Sequence, residues 1–144
     1  TVPVSGKFTP RQREIYQVVL GAQKAAIAAV QPGAWLAGDS GNSLTKIARD
    51  YMGAHGQDQH GRPLGKYFTH DIGHQVGLHV HDPAVSGPLE AGMVITIEPG
   101  VYINNEQLGI RIEDVVLVTA NGAKVLSAAL PKEPDEIEAA VFSK

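Results

Sequence analysis

The apolar residues change their spacing near residue 66, and this switch constrains the fold more than any other feature of the sequence. Before it, Ile15, Val18, Val19, Ala22, Ala26, Ala29 and Val30 recur at helical intervals, as do Leu44, Ile47, Ala48 and Tyr51. After it, Val and Ile gather in short runs that read as strands. Helices followed by strands predict an α+β layer arrangement.

The boundaries are legible from local chemistry. Thr9 reads as an N-cap, Pro10 as the first helical residue and Gln12 as the partner that closes a capping box. Pro32-Gly33 stops that helix, and the second is expected to end at Gly53. Residues 53–65 have no period and read as a surface loop, while Thr1 to Lys7 look extended, a strand with no partner before it. Strands are expected at Met93–Glu98, Val101–Ile103 and Ile110–Val118, with an edge strand at Lys124–Ser127. Asn104-Asn105 favours a turn, and Asp135–Phe142 closes the chain as a helix.

Composition then narrows the chemistry. A length of 144 residues suits one domain, and a net charge of −3 with no basic block argues against a nucleic-acid surface or an anionic-membrane anchor. No apolar run approaches the roughly 20 residues of a membrane span, so a cytoplasmic location is expected. The absence of cysteine excludes disulfides, thiolate zinc sites and a cysteine nucleophile. Histidines, carboxylates and hydroxyls remain.

Four of the six histidines, His70, His74, His79 and His81, fall within twelve residues. Such density is either a polar loop or a source of imidazole ligands. Two carboxylates sit in apolar strand sequence: Glu98 ends Val94-Ile-Thr-Ile, and Glu113 follows Ile110-Arg-Ile. Alternation puts Glu98 on one face with Thr96 and Val94, and Glu113 with Arg111. An ionised carboxylate in a buried sheet costs several kcal/mol unless a cation or donors compensate it. Solvated faces, or Arg111 neutralising Glu113, would account for both acids. So would a divalent metal, and oxygen donors with one imidazole suit Mn²⁺, Fe²⁺, Co²⁺ or Zn²⁺. Gly38-Asp39-Ser40-Gly41 mimics a serine-protease nucleophile motif, but every histidine follows Ser40, so a turn is expected there.

The blocks His70-x-x-x-His74-x-x-Gly77-x-x-x-His81-Asp82, Ile97-Glu98-Pro99-Gly100-x-Tyr102-Ile103 and Gly109-Ile-Arg-Ile-Glu113-Asp114 are similar, in order and spacing, to those of one family. With Val4–Pro10 and the helix after it, the chain resembles the Xaa-Pro peptidases, aminopeptidase P and prolidase, along nearly its whole length. The resemblance implies the C-terminal portion of a pita-bread fold, with an antiparallel sheet and helices on one side. It also implies a dinuclear metal site of five side chains, three of them matched by His74, Glu98 and Glu113. The other two are aspartates upstream of Thr1, so residues 1–144 read as an incomplete catalytic domain without its first half or any N-terminal domain.

The roles implied are specific. His74 binds one metal, Glu98 is ligand and proton shuttle, and Glu113 bridges the metals. His70 and His81 contact the substrate or its oxyanion, Arg111 orients Glu113, and Tyr102 is a wall or donor of the substrate site. The complete enzyme would use two divalent ions, Mn²⁺ foremost with Co²⁺ or Zn²⁺ as alternatives, to hydrolyse the bond between an N-terminal residue and proline. These 144 residues would hold at most one ion, weakly, and be catalytically silent. Their expected partners are a proline-containing peptide, the missing half of the domain and further copies of the chain, which uncovered sheet edges would recruit. A non-catalytic pita-bread module that binds peptides or proteins is the alternative, and a methionine-aminopeptidase-like enzyme, less favoured by His70, is the third. The geometric expectation is that the side-chain oxygens of Glu98 and Glu113 lie within about 5 Å of a His74 ring nitrogen.

Overall fold

Helix α1 (Pro10–Ala28) begins where Thr9 and Gln12 predict it. Thr9 Oγ1 accepts from the Gln12 N–H at 3.2 Å, and Gln12 Oε1 accepts from the Thr9 N–H at 2.9 Å. The structure, a computed structural model, describes residues 1–82 and 87–142. Helix α2 (Leu44–His55) is capped by the Ser43 side chain and runs two residues past the expected stop, ending at Gly56, whose N–H bonds to Met52. The helices pack closely at Gly21, where a Cβ would stand 2.3 Å from the Tyr51 hydroxyl oxygen. The expected loop over residues 53–65 is therefore shorter: it pairs Gln57 with Pro63 and leads into a 3₁₀ turn at Leu64–Tyr67.

Five strands follow among the described residues: β1 (Val94–Ile97), β2 (Gly100–Ile103), β3 (Leu108–Arg111), β4 (Asp114–Thr119) and β5 (Gly122–Val125). They form antiparallel sheets in the orders β1-β4-β5 and β2-β3, and helix α3 (Pro134–Phe142) comes last. The long strand expected over Ile110–Val118 is two strands, broken at Ile112-Glu113. Pro99, opposite the break, has no N–H to give to a ladder, and only its carbonyl takes part, accepting from Ile112 at 3.4 Å. The register does not shift across the gap: Ile97 pairs with Asp114 before it and Gly100 with Arg111 after it. Glu98 therefore lies opposite Glu113.

Two further expectations are corrected. Thr1–Lys7 is not a strand, because the chain turns at Val4-Ser5, with the Gly6 N–H bonded to Pro3 at 3.0 Å and Gly6 at φ +79°. Thr1 instead sits beside β3, its hydroxyl accepting from the Arg111 N–H at 3.0 Å. The edge strand starts at Gly122 rather than Lys124, because the turn after Thr119 is tight and Thr119 already pairs with Gly122.

One face of β1 and β4 turns Ile95, Ile97, Val116 and Val118 into a core shared with Ile15, Val19 and Leu20 of α1. Buried Gln23 donates to the Ile97 carbonyl at 3.1 Å, so the polar residue inside α1's apolar stripe is satisfied. The opposite face carries the odd-numbered neighbours of Glu113 and the even-numbered residues Thr96 and Glu98. No helix among the described residues is long and apolar enough to cross a membrane.

Candidate metal centre

Residues 72–76 lie along the free edge of β1 and bring the histidine to the two carboxylates. The Val76, Thr96 and Glu98 N–H groups bond to Val94, His74 and Ile72 at 2.9, 2.8 and 2.7 Å. Because the Glu98 N–H points to this edge, Glu98 and Glu113 form the non-hydrogen-bonded kind of cross-strand pair, in which side chains stand closer. Like charges directly opposite are destabilising. The ligand atoms of His74, Glu98 and Glu113 all lie within 4.8 Å of one another, as expected.

The histidine tautomer follows from its partners. His74 Nδ1 stands 3.0 Å from the Gln75 carbonyl oxygen, which can only accept, so Nδ1 carries the proton. Nε2 faces Glu98 Oε1 at 3.3 Å and, in the tautomer with the proton on Nδ1, offers its lone pair to a cation. Both side chains are partly buried, Glu98's 12% exposed and His74's 25%. A divalent cation between them and Glu113 turns repulsion into coordination.

The remaining sequence candidates divide. His81 is beside the centre, its ring edge-on to His74 with centroids 4.2 Å apart. The loop that returns it is closed by the Asp82 N–H on Gln75 at 3.2 Å and the His79 N–H on Asp82 at 3.1 Å. Gly77 permits this closure, since a Cβ there would come 1.9 Å from Asp82 Oδ2. The loop tip exposes Leu78 and Val80 fully or nearly so. His70 and Tyr102 meet each other: His70 Nδ1 donates to the Asp71 carbonyl at 2.7 Å, and Nε2 accepts from the Tyr102 hydroxyl at 2.9 Å. Arg111 reaches Glu98 rather than the Glu113 it was expected to orient, with Nε 3.7 Å from Glu98 Oε2. Glu98 and Arg111 are diagonal neighbours across the strand pair, since Glu98 lies opposite Glu113 and Gly100 opposite Arg111. Ser40 donates to Asn42 Oδ1 at 3.0 Å in an exposed turn, as expected for a decoy.

Thr96 is the residue whose role the sequence reading missed. Its hydroxyl accepts from the His74 N–H at 2.9 Å and donates to Glu98 Oε1 at 3.0 Å. The signal was present, as a polar residue on the Glu98 face of an otherwise apolar strand.

A second polar cluster serves as a contrast. Asp58 is buried, and burial works to raise its pKa. Hydrogen bonds from the Tyr67 hydroxyl, the Arg62 N–H and guanidinium and the His60 N–H outweigh this and hold it well below the usual carboxylate range. Tyr67 is raised in return by the same bond. Nearby, the Arg11 guanidinium bonds to both oxygens of Glu106 at 2.8 and 3.0 Å and lowers the Glu106 pKa, against the effect of burial.

Known proteins similar to this chain identify its family. The profile of metallopeptidase family M24 matches residues 1–120. Xaa-Pro aminopeptidase 1 of Streptomyces coelicolor is 39% identical over 160 residues, covering 96% of this chain and 33% of that protein. Xaa-Pro dipeptidase of Pyrococcus furiosus is 45% identical over 129 residues, covering 86% of this chain and 33% of its own length. Among solved structures, aminopeptidase P of Pseudomonas aeruginosa superposes with a TM-score of 0.77 at 34% identity, covering 96% of this chain and 36% of that one. The chain thus spans about a third of the length of the curated relatives it matches. The antiparallel α+β architecture is the C-terminal portion of the pita-bread fold. A divalent metal is the cofactor this family implies, and the chain belongs to metallopeptidase family M24.

Proposed function

We propose that this chain supplies three ligands and the substrate-contacting histidines of a metal-dependent peptidase that cleaves between an N-terminal residue and proline. The observation that carries the proposal is the convergence of the His74 Nε2 lone pair with the Glu98 and Glu113 carboxylates inside 4.8 Å. Relatives named Xaa-Pro aminopeptidase and Xaa-Pro dipeptidase support the substrate class.

When bound, divalent ions supply Lewis-acid polarisation and an activated water at neutral pH. The chain's own residues do the rest. Glu98, bonded to Thr96 on one oxygen, holds and releases the proton of the attacking water. His81, beside His74, donates to the oxyanion as it develops, a contribution worth about 3–4 kcal/mol where such donors are preorganised. His70 and Tyr102 act as one unit, their 2.9 Å hydrogen bond fixing the phenol as a wall of the substrate site. Arg111 stands 3.7 Å from the outer oxygen of Glu98 and acts on it as a nearby charge.

Two carboxylates balance one divalent ion, so the second ion requires ligands from outside residues 1–144, and two upstream aspartates fill that role. Mn²⁺ is the proposed native ion, with Co²⁺ or Zn²⁺ as substitutes, and the 144 residues hold one ion weakly. A cytoplasmic setting and self-association through exposed Val2, Val4, Leu78 and Val80 complete the proposal. The test is release of the first residue from a Xaa-Pro peptide in Mn²⁺ buffer, with the 144-residue chain and with a longer protein that includes the upstream region. Turnover only in the longer protein, abolished by Glu113→Gln, is the expected result. Efficient turnover by the 144 residues overturns the two-part site.

A further inference from the structure

We propose that Thr96 is a positioning residue, and that its hydroxyl, acting with the backbone ladder, sets His74 and Glu98 at ligating distance. The proposal rests on the metal-centre reading of His74, Glu98 and Glu113. In a regular antiparallel ladder, the two residues of a hydrogen-bonded pair exchange two backbone bonds. His74 and Thr96 exchange only one: the Thr96 N–H bonds to the His74 carbonyl at 2.8 Å, but the His74 N–H goes to Thr96 Oγ1 at 2.9 Å. The side chain has replaced its own carbonyl as acceptor. The same oxygen has one hydrogen to give, and it gives it to Glu98 Oε1 at 3.0 Å.

Two acceptors lie within reach of the hydroxyl hydrogen, Glu98 Oε1 at 3.0 Å and the His74 carbonyl oxygen at 3.5 Å, and the shorter, charge-assisted bond to Glu98 prevails. Glu98 Oε1 is also the oxygen that faces His74 Nε2 at 3.3 Å. One buried hydroxyl, on a residue 2% exposed, thus touches the backbone of one ligand and the ligating end of another. Gly73 makes the approach feasible, since a Cβ there would stand 2.0 Å from the Thr96 carbonyl oxygen and 2.8 Å from its Oγ1. The neighbouring Glu113 owes nothing to this contact, so loss of the hydroxyl disturbs two of the three ligands and spares the third.

The discriminating variants are Thr96→Val, which keeps the branched shape and strand preference but removes the hydroxyl, and Thr96→Ser, which keeps the hydroxyl. Titration of the chain with Mn²⁺ by calorimetry is expected to show Kd raised about tenfold or more in Thr96→Val and within about twofold of the unsubstituted chain in Thr96→Ser. Hydrogen exchange of the His74 amide is expected to be slow in the unsubstituted and Ser chains and fast in the Val chain. A merely structural role would lower the denaturant midpoint of Thr96→Val without moving Kd, and that result overturns the proposal. Equal losses in Val and Ser overturn it too, because they assign the effect to the methyl group. If Thr96→Val does not fold, a slowly exchanging Thr96 hydroxyl proton in the NMR spectrum of the unsubstituted chain supports the proposal, and its absence refutes it. Failure of the unsubstituted chain to bind Mn²⁺ sinks the metal-centre reading instead, and the His74 amide then decides whether Thr96 positions that residue.

Discussion

The clusters around Asp58 and around Glu98 contain the same kinds of group and have opposite characters. Asp58 is surrounded by donors: the Arg62 guanidinium at 2.6 Å, the Tyr67 hydroxyl and the N–H groups of His60 and Arg62 at 2.9 and 2.8 Å. Every element of that cluster lies within ten residues of sequence, and its effect is to close one turn. Glu98 faces another carboxylate across the strand pair and the Nε2 atom of His74 along the edge. Its ligand partners come from segments up to 39 positions apart, His74 to Glu113. A carboxylate whose charge is answered locally is part of the scaffold. One placed against further electron-rich atoms by long-range pairing is built to hold a cation.

The largest effect that sharpens this contrast is a crossed one. Glu113→Gln is expected to weaken Mn²⁺ binding by well over about a hundredfold, more than the loss of an outer partner costs. Without metal the same variant gains about 0.2–1 kcal/mol, because a like-charged pair directly opposite is relieved. Asp58→Asn is expected to do the reverse, lowering the thermal midpoint by several degrees and leaving Mn²⁺ affinity unchanged. Calorimetry and thermal melts on both variants check it. If Glu113→Gln destabilises the metal-free chain, the two clusters are of one kind.

Much of this contrast was legible in the sequence, and the missing parts have physical causes. The capping box at Thr9 and Gln12 depends only on residues three apart, so it could be read directly. Glu98 and Glu113 announced themselves as charges in apolar strand sequence. The break at Ile112-Glu113 did not, because Ile112 continues the alternation and its cause, Pro99, lies on the facing strand. The pairing of residues 72–76 with β1 was hidden for a related reason. His74, Gly73 and Gln75 have no strand pattern of their own and are ordered by bonds to Val94, Thr96 and Glu98. Arg111 was assigned to Glu113 by in-strand alternation, whereas the cross-strand geometry gives it to Glu98.

Acid should separate the clusters next. Asp58, Glu106 and Glu138 are each held below their ordinary pKa in the folded chain. The unfolded chain therefore takes up protons first as pH falls, so the stability these groups add is whole above the ordinary carboxylate range, near about pH 4, and is lost below it. Asp58→Asn is expected to flatten the fall in stability between about pH 5 and pH 3. Urea midpoints across that range measure it. An unchanged slope in Asp58→Asn would remove the claim that its donors stabilise the charged form.

The smallest expected effect compares two arginines of similar exposure. Arg62 is 42% exposed and hydrogen-bonds Asp58 at 2.6 Å, while Arg111 is 52% exposed and stands 3.7 Å from Glu98, beyond hydrogen-bond reach. Arg62→Gln should cost stability, since it removes a charge-assisted bond from a buried acceptor. For Arg111→Gln the decisive quantity is its field on the ion. A divalent cation on the order of 6 Å from the guanidinium, in water and physiological salt, feels a repulsion of about 0.7 kcal/mol. Removing that charge is expected to tighten Mn²⁺ binding about threefold and to leave the denaturant midpoint nearly unchanged. Arg111→Lys keeps the charge and should leave both where they are. If Arg111→Gln instead weakens binding tenfold, the guanidinium must be orienting Glu98 through a bond that forms when the metal enters. The two arginines would then do the same work, and the clusters would differ only in what completes them.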